Sequence, residues 1–149
     1  MPENDSSPFT ITPAHLRACL VTLVHGPYAD ADTAVVGGLA AEAVRYLNHA
    51  VPRGGVTDPA TVADVAADLA TVAYRLPQLL GALGDWLTAE AAAGRLADDH
   101  RRPPDQLTAR VRAAMGQAAE HAGGLTTALS TAHNLAATLH AAGPAAPAA

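Results

Sequence analysis

Two long stripes of apolar residues, with spacings that alternate between four and three, constrain the fold most strongly. The first stripe comprises Val62, Ala66, Leu69, Ala73, Leu76, Leu80, Leu83 and Leu87. The second comprises Leu107, Val111, Ala114, Ala118, His121, Leu125, Ala128, Ala132, Leu135 and Leu139. This spacing is typical of helices that pack along a coiled-coil seam. The sequence therefore predicts two long helices whose stripes face each other.

Residues that begin and end helices mark the limits of both stripes. Asp58 followed by Pro59 predicts the start of the first long helix, and Gly94 suits the left-handed position after its end. The second helix follows Pro104 and begins near Asp105, after a polar link over 95–104. Two helices of about 36 residues, each about 54 Å long, joined by a short link predict an antiparallel hairpin. Pro77 lies within an unbroken stripe and predicts a bend rather than a break.

Two shorter helices precede the hairpin. Thr12 and Pro13 predict a helix over 13–24, and a second helix starts near Asp30 or Asp32 and ends before Pro52. We expect them to cover the apolar groove of the hairpin. The predicted fold is all-α and four-helix-bundle-like: one domain over 12–142, with a disordered arm over 1–11 and a disordered tail over 143–149.

Composition and charge narrow the choice of partners. The chain contains 37 Ala and no Lys, and its net charge is −5. Nucleic-acid binders need a basic face, so a nucleic-acid accessory role would rest on one small cluster, Arg101, Arg102, Arg110 and Arg112. The N-terminal residues lack the pattern of a secretory signal, and no stretch of about 18 residues is uniformly apolar. We therefore expect a cytoplasmic protein with no membrane association.

Motifs for catalysis, metals or cofactors are not found in the sequence. None of the four Glu residues is followed by His three positions later, and no HExxH pattern is present. Ser130 precedes His133 by one helical turn, but no acid stands nearby in sequence to orient the histidine. Cys19 lies near an apolar stripe and is expected to be a buried, inert thiol. We expect no catalytic residue, no metal and no cofactor.

A polar layer in the middle of the hairpin is the first candidate site. His121 is the only polar member of its stripe, and a turn centred near residue 100 would place it opposite Gln78. Two readings stay open at this stage. The pair could fix the register of the hairpin by hydrogen bonding, or it could line a small pocket for a ligand or metal.

A protein-binding surface is the second candidate site. Tyr46, Tyr74 and Trp86 lie beside apolar stripes, and such aromatic residues either complete a domain core or anchor an interface. A long Ala- and Leu-rich seam can pair with a second copy as readily as with the two short helices. We therefore expect a non-enzymatic interaction module, acting as adaptor, scaffold or regulator and self-associating. The alternatives are a ligand- or metal-binding bundle and a nucleic-acid accessory protein.

Three segments resemble a group of small all-helical actinobacterial proteins for which no activity is known. They are residues 41–50, AEAVRYLNHA, residues 74–80, YRLPQLL, with Trp86-Leu87, and residues 132–136, AHNLA. The resemblance extends over residues 13–140. It implies that Pro77 and Gln78 belong to the architecture of the group, and it implies no activity, cofactor or binding residue.

Overall fold

The computed structural model describes residues 12–140, which contain four α-helices and no strand. Helix α1 spans Pro13–Leu23, α2 spans Asp30–Ala50, α3 spans Pro59–Ala92 and α4 spans Pro104–Ala136, and a 3-10 turn over Val51–Arg53 follows α2. The all-α prediction is confirmed. The arm over 1–11 and the tail over 143–149 lie outside the described residues.

The chain divides after Arg53 into two compact units, one with α1 and α2 and the other with α3 and α4. In the first unit Thr12 caps α1, its hydroxyl accepting from the His15 N–H at 3.3 Å. No residue of α2 is buried. The predicted single domain over 12–142, with the short helices covering the hairpin, stays a prediction.

The ends of α3 follow the predicted signals. The Asp58 carboxylate accepts from the Ala60 N–H at 2.9 Å, and Pro59 occupies the first turn. At the other end Gly94 has a φ of 69°. The N–H of Arg95 donates to the carbonyl of Glu90, and that of Gly94 to the carbonyl of Ala91, both at 3.0 Å. This pattern is a Schellman motif. The helix continues through Pro77.

Helices α3 and α4 form the predicted antiparallel hairpin. Ala63, near the start of α3, contacts His133 near the end of α4, and Gly84, near the end of α3, lies against Arg112 near the start of α4. Along α3 the buried residues are small, and we call them the inner seam: Ala63, Ala66, Ala70, Ala73 and Gly84. Ala73, at 1% exposure, is buried most completely. Small side chains of this kind allow two helices to approach closely.

On α4, most of the residues that meet α3 lie one position C-terminal to the residues of the predicted stripe. Its buried or half-buried members are Thr108, Val111, Met115, Ala119, Ala122, Thr126, Leu129, His133 and Ala136. Leu125 and Leu135 are instead 49% and 66% exposed, and His121 is exposed. The prediction that His121 lies in the seam is therefore wrong. On α3 the buried residues are alanines and one glycine, not the leucines beside them.

The ion pairs show that the register of the hairpin, that is, which position of α3 lies level with which position of α4, differs from the predicted one. A turn centred near residue 100 predicts that Glu90 pairs with Arg110 across the hairpin, and this prediction is wrong. Glu90 instead pairs with Arg95 through two hydrogen bonds of 2.6 Å. The ion pair that does cross the hairpin joins Arg112 to Asp85 at 2.7 Å. Ala63 opposite His133 and Gly84 opposite Arg112 place the centre of the turn near residue 98, not 100.

Asp98 organises that turn. Its carboxylate accepts from the N–H groups of His100 and Arg102 at 3.1 and 3.0 Å, and from the Arg102 guanidinium through two bonds of 2.9 Å. The guanidinium, followed by the backbone N–H of Arg102, holds the pKa of Asp98 well below its ordinary value. The side chain of Asp98 is only 7% exposed. The turn is thus built around one ionised carboxylate.

Enlarging the inner seam should separate the two helices. We expect Ala73→Leu to lower the free energy of unfolding by about 1–3 kcal/mol, because three extra carbons do not fit between packed helices. Ala82→Leu adds the same group at an exposed position of α3 and should change stability by less than about 0.5 kcal/mol. Urea unfolding followed by circular dichroism measures both. Equal effects for the two variants would contradict the inner seam.

Acidification should test the Asp98 turn. A carboxyl whose pKa is lowered by folding contributes stability that is present above its unfolded pKa, near 4, and is lost as the pH falls through its folded pKa. We therefore expect Asp98→Asn to unfold more easily than the wild type at neutral pH. The difference should narrow as the pH is lowered from about 5 to about 2. Asp99→Asn removes the same charge from an exposed neighbour and should lack this pH-dependent difference.

Candidate functional site

A second stripe of large apolar side chains runs along α3 beside the inner seam. Its members are spaced alternately by three and four residues, and we call them the outer seam: Val62, Val65, Leu69, Val72, Leu76, Leu79, Leu83 and Trp86. Each member is exposed or half-buried. The spacing places all eight on one side of the helix over about 36 Å. Helix α3 therefore carries two adjacent packing surfaces, and α4 covers the one with small residues.

Exposure along the outer seam is large. Val72, Leu79 and Trp86 are 54%, 53% and 58% exposed. Single exposed apolar residues are ordinary, whereas a contiguous patch of them marks a binding surface. The exposed leucines of α4, Leu125 and Leu135, each precede a residue of the hairpin contact by one position. They extend the outer seam into an apolar face of the hairpin.

The opposite face of the hairpin carries polar side chains and holds an open groove, which we call the polar groove. Two adjoining depressions of about 460 and 370 Å³ share Tyr74 and Thr126. The other polar residues that line them are Thr71, Arg75, Gln78, Ser130, His133 and Asn134. The volumes lie within the range of ligand pockets, but the groove is open to solvent.

His133 is the one histidine built into the hairpin contact. It is half-buried, and its Nδ1 lies 2.9 Å from the carbonyl oxygen of Ala63 on α3. A carbonyl oxygen only accepts, so Nδ1 carries the proton and donates. In the neutral ring, Nε2 then has a free lone pair. The contact therefore fixes the tautomer and the orientation of the His133 ring.

The structure does not bring together the two residues of the predicted polar layer. Gln78 lines the polar groove beside Gly123. His121 is exposed, with its Nδ1 3.2 Å from the carbonyl oxygen of Gln117 on its own helix. It is one position before Ala122, a residue of the hairpin contact. Whether either residue binds anything stays a prediction.

The three aromatic residues predicted to form an interface lie on different surfaces. Trp86 ends the outer seam, at 58% exposure, and Tyr74 lines the polar groove, at 74% exposure. Tyr46 is 71% exposed on α2, in the other unit of the chain. Sequence reasoning missed three members of the outer seam, Val65, Val72 and Leu79, although the three-and-four spacing was present in the sequence. Nothing in the sequence marked the contact between His133 and Ala63.

Other candidate chemistry is sparse in residues 12–140. No three His, Cys, Asp or Glu side chains of this range are close enough together to hold a metal ion. Cys19 is exposed on α1, so the prediction that it is buried is wrong. None of the helices between these residues is both long enough and apolar enough to cross a membrane.

Comparison of the chain with protein-family models, curated proteins and solved structures finds no match.

The protonation of His133 can be tested by NMR. We expect long-range ¹H–¹⁵N correlation spectra of the neutral ring to show Nδ1 protonated and Nε2 unprotonated, because the Ala63 carbonyl requires a donor. His100, exposed in the turn, serves as the control and should favour the Nε2–H form of a free imidazole. A neutral His133 protonated at Nε2 would contradict the assigned hydrogen bond.

Proposed function

We propose that this protein is a non-enzymatic, cytoplasmic helical interaction module that associates with itself through the apolar face of its hairpin. The observation that carries the proposal is the outer seam, eight large apolar side chains left exposed or half-buried at heptad spacing. Such a seam is the surface with which one helix packs against another. An adaptor, scaffold or regulator works by holding partners in this way.

Charge favours a protein partner over a lipid surface. Helices that lie on anionic membranes carry Lys and Arg around their apolar side. Helix α3 has one basic residue, Arg75, against four acidic ones, Asp64, Asp68, Asp85 and Glu90. The apolar side of such a helix is better matched to another helix than to an anionic bilayer.

Nucleic acid is a weaker candidate for a similar reason. In the basic cluster around the hairpin turn, Arg102 is paired with Asp98 and Arg112 with Asp85. Their charges are partly neutralised, and the chain as a whole carries a net charge of −5. Phosphate-backbone binding depends on several free basic groups acting together.

A small-ligand site in the polar groove is the second candidate function. The free lone pair that we assign to Nε2 of His133 supports it, together with the hydroxyl groups of Tyr74 and Thr126 along the same groove. A thermal-shift screen discriminates between the two functions. A ligand whose stabilisation is lost in Thr126→Val but retained in Leu79→Glu would favour the groove.

Self-association is tested with a matched pair of charge insertions in α3. We expect wild-type protein to show a concentration-dependent increase in mass by sedimentation velocity. Leu79→Glu should remove the increase, because a carboxylate is costly to bury at a helix contact. Ala60→Glu adds the same charge at an exposed position of α3, on the side of Ala67 and Tyr74 and away from the outer seam, and should leave the association unchanged.

Circular dichroism of both variants establishes that each remains helical. A wild-type protein that stays monomeric at the highest concentration reached would remove self-association from the proposal. A wild-type dimer that tolerates Leu79→Glu as well as Ala60→Glu would show that the outer seam is not the surface used.

A further inference from the structure

Two residues of opposite charge flank the outer seam on the edge that faces away from α4. Asp68 precedes Leu69 and Arg75 precedes Leu76, so the two lie seven residues apart on the same edge. Both are exposed. Among residues 12–140, neither makes an ion pair, whereas Arg45, Arg95, Arg102 and Arg112 all do.

We propose that two copies of the chain pair antiparallel along α3, outer seam to outer seam, with Asp68 of each copy against Arg75 of the other. The inference rests on the proposed self-association and adds its direction and register. In an antiparallel helix pair, each edge of one seam contacts the same edge of the other seam. The arrangement is symmetric, so the ion pair forms twice across a two-fold axis.

The same register matches the apolar side chains by size. With the axis between Asp68 and Arg75, the layers pair Val62 with Leu79, Val65 with Leu76 and Leu69 with Val72. Each layer thus joins one valine and one leucine from different copies, and each occurs twice by symmetry. Pairs of a smaller and a larger side chain fill the space between helices evenly.

Two competing arrangements are disfavoured by charge and by geometry. A shift of the axis to the middle of the outer seam, near residue 74, would place Arg75 against Arg75 of the second copy. A parallel pair would place Asp68 and Arg75 against the opposite edge of the seam. That edge is formed by Ala66, Ala73 and Leu80, which lie next to α4 and carry no charge.

The antiparallel arrangement also uses the exposed leucines of α4. In this arrangement the same edge of each outer seam contacts the other copy, so α4 of both copies lies on the same side of the α3 pair. Leu125 and Leu135 of each copy then face the other hairpin. Two hairpins then form a four-helix bundle. The paired layers run from residue 62 to residue 79, about 26 Å, and a face two helix widths of about 10 Å wide then covers about 500 Å² per copy. Leu83 and Trp86 lie beyond the start of α3 of the other copy. An area of this size is typical of weak, transient interfaces rather than of the standard size of about 800 Å² per partner.

Charge reversal tests the register in the full-length chain. Asp68→Arg places two basic groups against each other in the homodimer, and Arg75→Asp places two acidic groups against each other. We expect each variant to weaken self-association about tenfold or more relative to the wild type, less so at high salt. The double variant Asp68→Arg/Arg75→Asp restores both pairs and should recover the wild-type dissociation constant. Glu120→Arg, on an exposed position of α4, is the matched control and should leave association unchanged.

Mixing the two single variants gives the decisive measurement. Asp68→Arg with Arg75→Asp forms two attractive pairs, so the mixed dimer should be tighter than either homodimer in sedimentation or fluorescence energy-transfer experiments. Formation of that dimer also shows that both variants are folded. If the wild type dimerises but the two single variants show no preference for the mixed dimer, the proposed register is wrong, and the proposed self-association is retained. A monomeric wild type would overturn both.

Discussion

The contact between α3 and α4 is made by small side chains, and the remaining surfaces of the hairpin follow from it. Methyl groups and a glycine at Ala66, Ala70, Ala73 and Gly84 bring the helix backbones close together. At that separation no leucine of α3 is fully buried, although the half-buried Leu129 of α4 does lie in the contact. The large side chains are therefore displaced to the flank, where they form the outer seam. An alanine-rich interior and an apolar exterior are two consequences of one packing geometry.

The rotation of each helix about its own axis, which decides the side that faces the other helix, is the part of the fold that sequence spacing did not determine. Helix ends were predictable, because Asp58, Pro59 and Gly94 act locally. The hairpin was predictable from two long stripes and a short link. However, the predicted stripe on α3 alternated between two real seams, since Ala66 and Ala73 belong to the inner one and Leu69 and Leu76 to the outer one. Hydrophobicity alone selects leucine, whereas close approach selects alanine.

That small rotation also explains which site residues were predictable. His121 and His133 both lie on α4, but only His133 reaches α3, where it donates to a backbone carbonyl group. Backbone carbonyls leave no mark in the sequence, so this contact could not be derived from residue spacing. Trp86 could be recognised as a candidate interface residue because it lies at the end of an apolar pattern. Gln78 lines the polar groove and does not meet His121, because the turn is centred near residue 98 and His121 lies outside the helix contact.

Stability and association are linked in a hairpin of this kind. Burial of a methyl group contributes far less than burial of a leucine side chain, since hydrophobic stabilisation scales with the apolar area removed from water. The inner seam, built of Ala63, Ala66, Ala70 and Ala73, therefore leaves much of the hydrophobic stabilisation available to α3 unrealised. Covering the outer seam would supply it. Anything that binds the folded hairpin there raises its free energy of unfolding by mass action. Large side chains on the outside and small ones within thus make the fold itself sensitive to the presence of a partner.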